Sequence, residues 1–389
     1  MSVSNKSQSK APLCLGFIGG GLSSTIGQAH FAASRLDGRW KLVAGFFSRH
    51  REINRKTAEI WHIPQDRLYE SWQSLITSER DKLDAVVVLT PTPEHLEIVC
   101  ALMDEGIPII CEKPIVSSLE ESDLINQAYQ KASNFLSVTY NYSGYPMVRE
   151  LRERVRNGEL GSLRQIHFEM PQEVFFRLTD TAHKTASPQS WRLKDGIIPT
   201  ICLDLGVHLH HLAYFIIGKE PVRVIADFAN YSIYPGLVDN VMMWLEYEDE
   251  MKGSLWMSKT ALGNRNGLKL RLYGEKGSAE WIQMYPEELQ ISYKDGTCIT
   301  VDRSTKTLIC NEARYNRYKA GHPSGFIEAF ANLYYDIADA LIEYRNNDKH
   351  NNPYVFGIDH SIKGLELYTA ARESDNERCW KELKKGKLC

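Results

Sequence analysis

Between residues 13 and 140 short apolar runs alternate with helix-patterned segments, and no other feature constrains the fold so tightly. Strand patterns fall at 13–18, 41–47, 84–89, 107–111 and 135–140. Between them Ile26, Ala29, Ala33 and Leu36 recur at helical spacing, and further helices are predicted from Pro93 to about 105 and over 119–132. The run at 84–89 is largely β-branched, the composition of a strand buried on both faces. Strand and helix in strict alternation predict an α/β domain with a parallel, doubly wound sheet.

The first strand pattern runs directly into Gly19-Gly20-Gly21-Leu22-Ser23-Ser24-Thr25-Ile26-Gly27. Strand, glycine turn and helix form the context of a dinucleotide-binding turn, in which glycine permits a close backbone approach and a helix amino terminus faces the pyrophosphate. Gly19, Gly21, Ser23 and Ser24 are the candidate contacts. The spacing departs from G-x-G-x-x-G, because Ser24 stands at the third glycine position and Gly27 follows three residues later. After the second strand comes Ser48-Arg49-His50-Arg51, where an NAD-specific site usually carries an acid for the ribose 2′-hydroxyl. Ser48 and Arg49 tolerate a 2′-phosphate, which tilts the choice between NAD and NADP towards NADP.

The strand at 107–111 stops abruptly at Glu112-Lys113-Pro114, since proline cannot continue the ladder. Ser118-Leu119-Glu120-Glu121 then gives a capping-box start to the next helix. Lys113 is therefore held at the carboxyl end of a strand, where open α/β sheets place their ligands. The third strand ends similarly, in the rigid turn Thr90-Pro91-Thr92-Pro93-Glu94-His95.

From Leu163 the pattern changes to alternating strands at 163–170, 222–231, 241–247, 253–259, 268–273, 279–284 and 289–293, predicting a large, mostly antiparallel sheet. Trp244, Trp256 and Trp281 imply a sheet face rich in large apolar groups, and a face left uncovered by helices would favour self-association as a homodimer or homotetramer. Helices are predicted over 326–343 and 357–372. Asp204 and His208 fall four residues apart in a helix-patterned segment, so one turn separates them and the carboxylate is placed to orient the imidazole. His210 faces away from His208, and no Cys or Glu completes a ligand set, so no metal is expected. Trp191-Arg192 precedes this helix as a candidate pocket wall and anion partner, and the loop from Arg314 to His322 is either a substrate lid or an exposed connection.

Composition excludes several classes. A chain of 389 residues with a formal net charge of −3 carries no generic attraction for nucleic acid or anionic membrane. No apolar run reaches bilayer length, and 1–12 reads as a loose polar tail. The 8 cysteines show no C-x-x-C spacing, the usage of a reduced, cytoplasmic protein.

Together these residues resemble the Gfo/Idh/MocA family (glucose–fructose oxidoreductase and inositol dehydrogenase-like proteins). The markers are Gly-Phe-Ile-Gly-Gly-Gly, Thr90-Pro91 with His95, Glu112-Lys113-Pro114, Asn141-Tyr142 with Gly144-Tyr145-Pro146, Trp191-Arg192, Asp204 with Gly206 and His208, and Gly321-His322-Pro323. The resemblance implies a Rossmann domain over 13–142 and a substrate-binding and oligomerisation α/β domain over 143–389, whose last helices pack back towards the first. It assigns Lys113, Asp204 and His208 to catalysis, and Thr90, His95, Glu112, Asn141, Trp191 and Arg192 to the nicotinamide side of the cleft. Tyr142 and His322, with Lys113 and His208, are the candidate substrate contacts. The implied activity is reversible, NAD(P)-dependent oxidation of a secondary alcohol on a sugar, anhydrosugar or cyclitol. Other branches of the family cleave glycosidic bonds through transient oxidation, or bind dinucleotide as sugar-responsive regulators.

Overall fold

The computed structural model describes residues 11–177 and 190–383. The first half is built from β1 (Leu13–Gly19), α1 (Thr25–Leu36), β2 (Trp40–Phe46), α2 (Arg51–Ile60), α3 (Trp72–Glu79), β3 (Ala85–Leu89), α4 (His95–Asp104), β4 (Ile109–Cys111), α5 (Leu119–Ala132) and β5 (Leu136–Val138). The five strands form one parallel sheet in the order β2-β1-β3-β4-β5. Every residue of β3 is buried, as its β-branched composition requires. β1 lies between β2 and β3, so the chain winds one way from β1 and then the other, opening a crevice beyond the carboxyl ends of β1 and β3.

The second half contains α6 (Pro146–Arg156), β6 (Leu163–Pro171), α7 (Val207–Ile217), β7 (Arg223–Ala229), β8 (Asn240–Glu246), β9 (Lys252–Ser258), β10 (Lys269–Gly274), β11 (Gly277–Ile282), β12 (Leu289–Tyr293), β13 (Cys298–Val301), α8 (Phe326–Asn347), α9 (Ile358–Glu377) and β14 (Lys381–Glu382). Its nine-stranded sheet has the order β13-β12-β11-β10-β6-β9-β8-β7-β14, antiparallel except where β6 runs beside β9. Burial alternates with period two along much of the sheet. In β8, Val241, Met243 and Leu245 face the helices and join the core, while Met242 and Trp244 point outward, the tryptophan 54% exposed. Trp256 pairs with Met242 on that outer face, whereas Trp281 is fully buried.

α8 returns to the first half and packs beside α1. Phe330, Leu333, Tyr334, Ile337 and Leu341 share one core with Leu15 and Phe17 of β1 and Trp40 of β2, and Trp40 Nε1 donates to the Tyr334 carbonyl at 2.9 Å. A buried ion pair fixes the same helix from the other side: Arg149 of α6 donates to Asp336 at 2.6 Å and to the Tyr315 hydroxyl at 2.8 Å. Among the described residues seven cysteines are free, and no helix is long and apolar enough to cross a membrane.

Candidate active site

The glycine turn is resolved by sterics. Gly19 ends β1 at φ +85°, and a Cβ there would sit 2.8 Å from the Thr90 nitrogen, so only glycine lets β1 and β3 part at this point. A Cβ on Gly27 would lie 1.9 Å from the Gly20 carbonyl oxygen. Gly27 is therefore the close-packing glycine of the turn. Ser24 has a different task, capping α1 by accepting from the Gly27 amide at 3.1 Å. The irregular spacing is a longer turn in which Gly27 supplies the close contact and Ser24 the helix cap.

A cleft of about 820 Å³ opens above this turn, within the usual range for a small-molecule or cofactor site. It begins at Ser48, Arg49 and His50 beyond β2, crosses Gly19, Gly21, Ser23 and Ser24, and passes Thr90, His95 and Glu112. It ends against Lys113, Asn141, Tyr142, Arg192, Asp204 and His208. Two expected residues stand apart from this convergence. His322 is exposed and outside the cleft lining, and its carbonyl accepts from buried Arg303 at 2.9 Å. Arg303 also donates to the Tyr315 and Tyr318 carbonyls, so the Arg314–His322 stretch is pinned by three bonds to one buried guanidinium. The Trp191 side chain lies outside the described residues.

Glu112 and Lys113 are not a solvated pair. Glu112 is buried and is held by His30 of α1 at 2.8 Å and by the Thr139 hydroxyl, while the second nitrogen of His30 meets the Tyr334 hydroxyl at 2.7 Å. These bonds to the charged form outweigh burial and lower the Glu112 pKa. His95 is clamped between the Thr90 and Pro114 carbonyls at 2.9 and 3.0 Å, tying the turn after β3 to the turn after β4. Burial lowers its pKa, so the imidazole is neutral near pH 7 and one of the two contacts carries the N–H. The Lys113–Pro114 peptide is cis.

Asp204 departs from its expected role. Residues Cys202–Gly206 form a π-helical turn ahead of α7, so Asp204 and His208 do not share a regular α-helical face. The carboxylate instead gathers cations: Lys259 at 2.7 Å, Arg192 at 2.8 Å and Lys113 at 3.5 Å, with Lys113 also donating to the Asp204 carbonyl at 2.7 Å. Despite burial, these charges hold the Asp204 pKa well below the usual carboxylate range. Among the described residues His208 has no hydrogen bond to Asp204, and its Nδ1 is buried without a partner. Burial, reinforced by Lys113, pushes the His208 pKa well below 6.5, and burial also lowers that of Lys113. Tyr142 stands edge-on to His208 with ring centroids 4.7 Å apart.

Sequence reasoning missed Lys259, His30 and Asp195. Lys259 directly follows a strand and His30 sits mid-helix, so neither carried a local signal. Asp195 accepts from the Thr200 and Val238 amides at 2.8 and 2.7 Å, fixing the approach to the π-helical turn. The cleft suits a nicotinamide dinucleotide on structural grounds. The Gly19–Gly27 turn leaves room for backbone-level approach, and at the far end Thr90 Oγ1 and Asn141 Nδ2 join His208 Nδ1 as buried polar atoms without partners.

A parallel sheet with a glycine-turn crevice, joined to a lysine and a histidine at its rim, defines a dinucleotide-dependent oxidoreductase. The family models agree: residues 13–140 match the oxidoreductase family with NAD-binding Rossmann fold, and residues 148–280 match the GFO/IDH/MocA C-terminal domain. The chain belongs to the Gfo/Idh/MocA family. It is 28% identical over 387 residues to the uncharacterized oxidoreductase YfiI of Bacillus subtilis (strain 168), covering 96% of this chain and 97% of that protein. It is 24% identical over 248 residues to levoglucosan dehydrogenase of Pseudarthrobacter phenanthrenivorans, covering 57% of this chain and 60% of the enzyme. The crystal structure of an inositol dehydrogenase homolog complexed with NAD+, from Azotobacter vinelandii, superposes with a TM-score of 0.86 at 25% identity, over 95% of this chain and 97% of that one.

Proposed function

We propose that the protein interconverts a secondary alcohol and a ketone on a sugar, anhydrosugar or cyclitol, using NADP in preference to NAD. One observation carries this reading: an amine and a neutral, unpartnered imidazole meet at the end of the cleft farthest from Ser48 and Arg49. A bound nicotinamide dinucleotide supplies the acceptor for the hydride that leaves the carbinol carbon. His208, kept neutral by burial, takes the hydroxyl proton. Lys113 Nζ donates to the same oxygen and stabilises the negative charge that develops there. Thr90 and Asn141 offer their unpaired groups to the ring amide side of the cleft, and Arg49 and Ser48 offer a cation and a hydroxyl to a 2′-phosphate. The levoglucosan and inositol relatives support a polyhydroxylated, ring-shaped substrate. Met242 and Trp244, exposed on the outer sheet face beside half-buried Trp256, support assembly into a homodimer or homotetramer.

The test is to incubate the purified protein with NADP or NAD and a panel of sugars, anhydrosugars and inositols, following reduced-nicotinamide absorbance. Formation of reduced cofactor with one substrate class supports the reading. Silence in both directions across the panel, with dinucleotide shown to bind, would sink it.

A further inference from the structure

We propose that Lys259 is a positioning residue of the reaction centre: it holds the Asp204 carboxylate clear of His208 and keeps it there when Lys113 turns to the reacting oxygen. The proposal rests on the roles of Lys113 and His208 given above.

Lys259 is an unusual cation. It follows β9 directly, is 6% exposed, and directs its ammonium past the Phe175 ring, 5.6 Å from the centroid. Its backbone is fixed on both sides, donating to the Asp239 carbonyl at 2.8 Å and accepting from the Phe175 amide at 2.9 Å. Burying an ammonium is costly unless it is paired, and its partner is Asp204 Oδ2 at 2.7 Å. That bond fastens the π-helical turn to the large sheet. Lys113 reaches the same carboxylate only at 3.5 Å, and its close bond goes to the Asp204 carbonyl. Substrate can therefore draw Lys113 away while the carboxylate keeps its sheet-side anchor.

The consequence falls on His208. The groups facing its imidazole are Lys113 beyond β4, Asp204 on the turn before its own helix, the Tyr142 ring, and His211 one turn along α7. Of these, Asp204 favours the imidazolium and Lys113 opposes it. A carboxylate that loses Lys259 is held, among the described residues, only from the cleft, by Arg192 at 2.8 Å and Lys113 at 3.5 Å. It can then shift towards the imidazole, which raises the proton affinity of His208 and carries the acid limb of proton acceptance to higher pH.

The experiment follows the His208 imidazole by NMR titration in the ligand-free full chain, assigned by comparison with His208→Asn. Lys259→Met should bind the imidazole proton at least about tenfold more tightly, a rise of roughly one pH unit in the midpoint. Lys259→Arg should restore the wild-type midpoint. In an Asp204→Asn background, Lys259→Met should leave the midpoint nearly unmoved. Should the methionine variant fail to fold, Lys259→Gln, whose shorter side chain loses both the charge and the reach to Asp204 but keeps a polar end, carries the same comparison with the same expected rise. An unchanged midpoint in Lys259→Met, or an equal rise with and without the Asp204 carboxylate, overturns the proposal. Because the titration needs neither substrate nor dinucleotide, it stands apart from the activity panel: a silent panel refutes the proposed reaction and leaves this coupling decided on its own data.

Discussion

The proposed chemistry rests on two side chains, Lys113 and His208, and the proposed cofactor choice on Ser48. Lys113→Met and His208→Asn should each lower turnover by roughly 10²–10⁴-fold, the usual reach of a positioned acid–base group, with dinucleotide affinity preserved in fluorescence titration. The pH profile should be displaced to the acid side. His208 must be neutral to accept a proton, and since its pKa lies well below 6.5, kcat/KM for alcohol oxidation should stay level down through pH 6.5 before falling. Lys113 must be charged to donate, and its lowered pKa places the alkaline limb below 10.5. A profile whose acid limb sits at or above pH 6.5 would contradict the buried, unpaired imidazole. At the other end of the cleft, Ser48→Asp should repel a 2′-phosphate and accept a ribose hydroxyl, moving the NADP-to-NAD ratio of kcat/KM towards NAD by ~10-fold or more. An unchanged ratio would remove this corner from cofactor choice.

At the scale of elements, Gly27 is the point where α1 touches Gly20, just beyond β1, at backbone distance. Gly27→Ala should cost roughly 1–3 kcal/mol in denaturant unfolding, the range for overpacking a tight contact, and weaken dinucleotide binding because α1 must lift from the crevice. The alternation of strands and helices was legible because period and composition are local properties: the helix at Leu119–Ala132 and the strand at Leu289–Tyr293 lie where they were expected. Two short strands, β13 and β14, and the helices α2, α3 and α6 carried weaker patterns. The site was legible only as far as chain-local grammar reaches. Lys113 announces itself by the proline that ends its strand. Lys259, 55 residues from its partner Asp204, has no such mark. The π-helical turn defeated spacing arguments outright, since an assumed regular helix put Asp204 beside His208 and the inserted turn gave it to three cations instead.

At the scale of the whole molecule the outer sheet face is the surface proposed for self-association. Met242, Trp244 and Tyr273 are exposed on strands whose opposite face is packed by helices, with His167 set between the rings of Trp244 and Tyr273. Trp244→Glu should shift sedimentation from the assembled species to the monomer while leaving dinucleotide affinity intact, because the cleft lies elsewhere. A wild-type protein that already sediments as a monomer at micromolar concentration would exclude the association.

The return of α8 has a further consequence for inheritance. The cofactor half ends its sheet at Val138, yet Tyr334, which completes its core and braces the His30–Glu112 pair, is supplied almost two hundred residues later. A gene segment encoding the first half alone would thus yield a product with one wall missing. Recombination could exchange loops of the large sheet, but the cofactor half cannot travel as a cassette unless the distant helix travels with it.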